Sequence, residues 1–216
     1  MSDNNMKIFF GIPLWVFQIE HSEAINDKLQ AIIKHEKSTD NGVHISNRGG
    51  WQSHGKLHHK EDFSFFTDIV NINVGIAGRD YGFGKSTGNM AITAMWANIN
   101  RIGNSNALHS HQSPAGNLNQ IVLSGAYYVK VPQDSGQFFF EDFGRPLRHL
   151  QLPFESPNPV NSYTVRVPPK EGLMLMFPAW MEHGVEESKS TEERISIAFN
   201  ITLMAHERQG NNHPKA

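Results

Sequence analysis

With 216 residues, a formal net charge of −2 and no cysteine, the chain can bury one sizeable core but has no cationic footprint for nucleic acid or an anionic membrane. Disulfides and thiolate metal sites are excluded, so any metal must be held by histidine or carboxylate. The apolar run near the N-terminus is broken by Gly11 and Pro13, too short for a membrane span and without a small-residue cleavage pattern. The expectation is a soluble, cytoplasmic protein with neither nucleic acid nor membrane as partner.

Residues 7–19 predict one or two strands around the Gly11-Ile12-Pro13 break. Over 22–36, Ile25, Leu29, Ile32 and Ile33 fall on one helical face, with Ser22 as N-cap. Residues 37–60 are polar, hold Gly49-Gly50 and read as a loop. Within it NRGGWQS (47–53) is either a flap over a pocket or a loop anchored by Trp51. A second helix is predicted over 62–77 from Phe66, Ile69 and Val70, though Ile72, Val74 and Ile76 drift toward alternation. Gly82, Gly84 and Gly88 mark another loop over 80–89. Strands are then predicted at 90–100, 107–111, 120–132, 136–143, 163–167, 173–177 and 194–204. Such a run without intervening helices means a sandwich or barrel, with the two helices covering one outer face. The expected organisation is one domain over 1–205, with helical support at 20–78, a β core at 90–204 and a tail over 206–216 too polar to pack.

Alternation on the last strand places Arg194, Ser196, Ala198 and Asn200 on one side and Ile195, Ile197, Phe199 and Ile201 on the other. The second set wants a core. The first is a row of small and polar groups headed by a permanent cation, which suits an anionic ligand inside a barrel. His109 and His111, two apart on a strand, can reach one point in space. With His183 they make three ligands, a number that leaves coordination positions open for substrate or water. Twelve histidines make a chance His-x-His pair unsurprising. Structural readings stand beside these: Arg194 as a surface cation paired with Glu192 or Glu193, Tyr128 as a packed aromatic with Tyr127 on the opposite face, and Trp96, which shares a face with Asn98, as core. His21, His35, His44, His54, His58, His59, His149, His206 and His213 read as solvated.

A histidine eleven residues before an Arg-x-Ser strand resembles the closing half of the metal and co-substrate site in the 2-oxoglutarate and Fe(II)-dependent oxygenases. His109, LSGAYYV (123–129), Ser135-Gly136, Phe138-Phe139-Phe140, His183 and Arg194-Ile195-Ser196 follow the order of the prolyl-hydroxylase-like branch over roughly residues 90–202. NRGGWQS, Trp96-x-Asn98 and FPAWMEHGV narrow the similarity to a group of small stand-alone oxygenases of bacterial and phage origin.

The resemblance implies a mostly β, double-stranded β-helix (jelly roll, cupin-like barrel) that uses Fe(II), 2-oxoglutarate as co-substrate and O2. It implies His109, His111 and His183 as the metal-binding catalytic set, and Arg194, with Ser196, Tyr128 and Asn98, as the binder of 2-oxoglutarate. The reaction would couple decarboxylation of 2-oxoglutarate to hydroxylation of a small-molecule or peptidyl substrate that the sequence does not name. One departure matters: the family places Asp or Glu two residues after the first histidine, where this chain has His111. His111 could replace the carboxylate, Gln112 or a water could, Glu141 or Asp142 could swing in, or iron binding could be lost. The shared face with His109 favours the first. Two other classes stay open: a cupin-like metalloenzyme that does not use 2-oxoglutarate, and a non-catalytic β-sandwich module with Trp51, Trp96 and Trp180 as its platform. Nothing bars a homo-oligomer.

Overall fold

A computed structural model describes residues 11–84, 87–113, 119–142, 153–158 and 161–204. Its centre is the strand at Arg194–Met204, which the alternation had divided into a core face and a pocket face. Numbering strands along the chain, this is β11, flanked by β6 (Gln120–Lys130) and β4 (Asn89–Asn100). The sheet extends on one side through β9 (Leu173–Pro178) to β1 (Trp15–Gln18) and on the other to β3 (Trp51–Gln52). A second sheet runs β2 (Asn47–Arg48), β5 (Ser105–His109), β10 (Glu182–Val185), β7 (Phe138–Glu141), β8 (Thr164–Val167). All these pairings are antiparallel. The two sheets face each other as a jelly roll.

The outer face of the larger sheet carries the main core. Ile195, Ile197, Phe199 and Ile201 are fully buried there against Leu29 and Ile33 of helix α1 (Ser22–Thr39) and Phe66, Val70 and Val74 of helix α2 (Ser64–Asp80). Losing one such aromatic, as in Phe199→Ala, should cost about 3 to 5 kcal/mol. Gly125 stands opposite Phe199 in register. A Cβ on it would come within 2.3 Å of the Phe199 ring, so the absence of a side chain is what lets that ring lie flat on the sheet.

Several local expectations are corrected. Ser22 is the first helical residue rather than the N-cap, which is His21 in a left-handed conformation with φ 52°. The reason is tertiary: Ile19 N–H donates to Gly172 O at 2.9 Å and the Ser22 hydroxyl packs on Gly172, so docking of β1 sets the helix start. α2 stays helical to Asp80, the apparent alternation arising because Ile72 lies on the solvent face while Val74 is buried. Because β1, β2 and β3 precede or interleave with the helices and still belong to the sheets, helical support and β core are not consecutive blocks. β10, which carries His183, is a strand that the sequence pattern does not mark, and β5 ends at His109, leaving His111 beyond it.

Residues 37–60 are not simply a loop. α1 continues to Thr39, and NRGGWQS joins both sheets: Asn47 and Arg48 pair with β5, Trp51 and Gln52 with β4. The turn needs its glycines, since Gly49 has φ +78° and a Cβ on Gly50 would meet Asn100 Oδ1 at 2.2 Å. Trp51 Nε1–H donates to Asp40 O at 2.9 Å. The segment is a stitch between layers, so the anchored reading holds and the flap does not. No helix among the described residues is long and apolar enough to cross a membrane. The tail expected at 206–216, His149, His206, His213, the strand portion at residue 143 and the start of the N-terminal strand region before residue 11 lie outside the described residues.

Candidate metal centre

Antiparallel pairing of β10 with β5 sets His183 directly opposite His109. His111 follows two residues past the strand, where its backbone N–H donates to Ala179 O at 2.8 Å. The same-face argument for the pair therefore reached the right outcome by a different backbone path. The ring centroids lie 4.4 Å (His109–His183), 4.9 Å (His109–His111) and 5.0 Å (His111–His183) apart. One nitrogen from each falls within 4.8 Å of the others, a group that could hold a metal ion.

Their hydrogen bonds say which nitrogen. His109 Nδ1 donates to Ala107 O at 2.7 Å, His183 Nδ1 to Met181 O at 2.8 Å, and His111 Nδ1 to Asn200 Oδ1 at 2.6 Å. These three oxygens can only accept, and Ser124 Oγ, also 2.9 Å from His111 Nδ1, gives its proton to Asn200 Oδ1, so each ring carries its proton on Nδ1 and keeps the Nε2 lone pair free. Burial lowers the pKa of all three. For His111 burial and the neighbouring His109 bring it to about 4, and for His183 burial and both neighbouring imidazoles bring it to about 3. Three neutral Nε2 donors facing one point form a donor set for a divalent transition metal. The ring of His183 is braced by Phe138 at 5.4 Å and Phe177 at 4.8 Å between centroids.

The surroundings of His111 bear on the missing carboxylate. Asn200 Oδ1 also accepts from Ser124 Oγ at 2.9 Å. A carboxylate at position 111 would set oxygen against this acceptor, whereas an imidazole N–H satisfies it. Gln112 is exposed and donates to Ser110 Oγ instead, and no carboxylate joins the cluster among the described residues. Asn200 was legible only as an inward-facing residue. Its partnership with Ser124 and His111 joins positions far apart in the chain and had no local signal.

Arg194 lies in the same cavity, which has an atom-free volume of about 490 Å³ including its mouth. Arg194 is 3 % exposed. Its Nη1 donates to Gly136 O at 3.1 Å and to Ser135 O at 3.4 Å, it lies 5.2 Å from the Tyr128 ring centroid, and Nε–H has no partner. No carboxylate among the described residues pairs with it. Glu192 bonds Lys130 at 3.0 Å, while Glu193 bonds Lys37 at 3.1 Å and Arg101 at 3.0 Å. The surface-cation reading of Arg194 therefore fails.

Around it sit further unsatisfied buried atoms: Tyr128 OH, Ser135 Oγ and Asn98 Oδ1. Burial pushes the Tyr128 phenol up to about 12 against the opposing pull of Arg194, so it stays protonated and able to donate. Tyr127 takes the other face, where its hydroxyl donates to Asn26 at 2.7 Å. Ser196 and Asn98 line the cavity, as does Trp96, whose ring meets His111 edge-on at 5.6 Å rather than serving as core. Phe138, Phe177 and Val185 form apolar walls.

Residues 94–200 match a sequence-family model described as "Putative 2OG-Fe(II) oxygenase", a span that contains the three histidines and Arg194. No curated protein matches the sequence. Among solved structures, the chain is similar to a prolyl-4-hydroxylase from Pseudomonas putida (12% identity, TM-score 0.64, covering 90% of this chain and 94% of that one). It is also similar to the viral collagen prolyl hydroxylase of Paramecium Bursaria Chlorella virus-1 in its 2OG complex (12% identity, TM-score 0.59, 88% and 96%). A third is HygX from Streptomyces hygroscopicus with nickel and 2-oxoglutarate bound (11% identity, TM-score 0.58, 89% and 83%). At such identities the structural likeness speaks for the fold alone.

Proposed function

We propose, because residues 94–200 match the 2OG-Fe(II) oxygenase family model, that this chain is a 2-oxoglutarate and Fe(II)-dependent dioxygenase of the prolyl-hydroxylase-like branch, whose centre is built from His109, His111, His183 and Arg194. Bound Fe(II), with 2-oxoglutarate and O2, supplies the oxidising chemistry: decarboxylation to succinate and carbon dioxide, coupled to oxidation of a substrate C–H bond.

The donor set fits Fe(II), since imidazole is a ligand it accepts and the Nε2 lone pairs are held free. Arg194 binds the distal carboxylate of 2-oxoglutarate through its planar fork, with Ser196, Tyr128 and Asn98 adding hydrogen bonds. Phe138, Phe177 and Val185 give the cavity apolar walls, and the low local dielectric they create would strengthen these charge-assisted contacts.

The observation that carries the reading is the buried guanidinium without a counter-ion among the described residues, in one cavity with the histidine triad. A buried charge is costly unless paired, and a dicarboxylate chelating the metal at its other end would pair it. A cupin-like enzyme without 2-oxoglutarate leaves that cation uncompensated. The test is succinate release by purified protein given 2-oxoglutarate and Fe(II) under air. Release abolished by chelator supports the assignment; metal-loaded protein that neither binds 2-oxoglutarate nor turns it over ends it. We further propose a cytoplasmic setting, since a cysteine-free chain suits a reducing compartment in which iron stays ferrous.

A further inference from the structure

A second cavity, of about 960 Å³ atom-free volume including its mouth, opens on the other side of His109 and His111. The strands order the two. Along β11 Arg194, Ser196 and Ala198 line the first cavity and Asn200 the second; along β4 Asn98 lines the first, Trp96 both and Ala94 the second. At about 3.3 Å per residue, the two form one trough with the imidazole pair between its chambers. Exposed Ile45 and Leu108 rim the second.

In this chamber Gln52 stands out. It is 4 % exposed, its Oε1 is buried without a partner, and none of the hydrogen bonds of the described residues uses its carboxamide. Its backbone is anchored on both sides. Its backbone pairs with Asn98 in the stitch between the sheets, and its carbonyl accepts from Val43 N–H at 2.8 Å. A buried carboxamide kept in place without a partner is a feature that a ligand can complete. Asn200 adds a second carboxamide, with Oδ1 already taken by His111 and Ser124, so that only its amino group is left to donate. Among the described lining residues there is no Lys, Arg, Asp or Glu. A charged group placed here would lose its hydration without compensation.

We infer that Gln52 reads the primary substrate, and that the group it reads is uncharged and amide-like, a donor and an acceptor side by side on an apolar body. The inference rests on the oxygenase reading, because that reading makes this chamber the one facing the reacting centre. The amide complements the Gln52 carboxamide edge to edge, while Trp96, Ala94 and Leu108 take the apolar body.

The test uses the full chain loaded with Mn(II) and 2-oxoglutarate, titrated calorimetrically with three probes that share one aliphatic body: 4-methylpentanamide, 4-methylpentanoate and 4-methylpentylamine. The amide should bind at least tenfold more tightly than the acid or the amine. Gln52→Leu should erase that preference, and Gln52→Glu should turn it toward the amine, with circular dichroism confirming that each variant is folded. Failure of the amide to bind, equal binding of the three probes, or a preference that survives Gln52→Leu overturns the inference. If Mn(II) and 2-oxoglutarate themselves do not bind the wild type, the oxygenase reading falls first and this inference falls with it.

Discussion

His111 Nδ1 lies 2.6 Å from Asn200 Oδ1, although the two residues stand 89 positions apart. This contact converts a position where the family carries an acid into one where an imidazole presents Nε2 to the centre. Partners that orient ligating histidines typically matter by about ten- to a hundredfold in metal affinity. Asn200→Leu, which removes the acceptor and keeps the bulk, should weaken Mn(II) or anaerobic Fe(II) binding by that order. Asn200→Asp keeps the acceptor and should bind at least as well as the wild type. Calorimetry showing equal affinity for wild type and Asn200→Leu would remove His111 from the ligand set.

Arg194 should separate binding from stability. Charge-assisted hydrogen bonds are worth about 1.5 to 3 kcal/mol each, so Arg194→Met should lower affinity for 2-oxoglutarate on the order of a hundredfold or more. Arg194→Lys should recover only part of it, since an ammonium cannot make the bidentate fork. In the apo protein the cation is buried against two backbone carbonyls and an aromatic face. Replacing an unpaired buried charge by an apolar side chain is commonly neutral or stabilising. The melting temperature of apo Arg194→Met should therefore not fall. A large loss of apo stability would mean that Arg194 is structural.

The contrast between β11 and the triad explains what the sequence could and could not reveal. Period-two alternation over 194–204 separates Arg194, Ser196, Ala198 and Asn200 from the apolar set, because both faces of a central strand meet uniform environments. Helix α1 was legible for the same reason. β10 is four residues long and carries a glycine required where Phe139 and Asn106 press in, so no hydrophobic period marks it. Only long-range pairing with β5 and β7 makes it a strand. Gln52 had no signal either. Its importance comes from a two-residue strand and from what it lacks, a partner, which only packing can create.

Three neutral imidazoles leave the full +2 charge on a bound divalent metal, so the 2-oxoglutarate dianion brings the centre to zero. The usual acid would bring the same complex to −1. Metal and 2-oxoglutarate binding should consequently depend strongly on each other. Affinity for 2-oxoglutarate measured with and without saturating Mn(II) should differ by far more than tenfold, and metal affinity should change by the same factor when 2-oxoglutarate is present. In His111→Asp that factor should shrink. Independent binding in the wild type would contradict the charge argument.

Glu193, next to Arg194, offers a check that leaves the centre untouched. Burial pushes its carboxyl up, but the hydrogen bond and charge of Lys37, with Arg101 and Lys34 adding to them, outweigh burial and hold it below its ordinary 4.5. A folded-state value below the unfolded one means that the tie adds stability above about pH 4.5 and loses it as the pH falls through the folded value. Glu193 is 18 % exposed at the side chain, and the tie is worth about 1 kcal/mol. Glu193→Gln should lower stability by that amount at pH 7 in urea unfolding, with the difference from wild type shrinking as the pH falls below about 4.5 and through the folded value. Affinity for 2-oxoglutarate should not move, because Glu193 takes up Lys37 and Arg101 rather than Arg194. If it does move, Arg194 has Glu193 as a partner after all, and the inward guanidinium loses its reason to wait for a dicarboxylate.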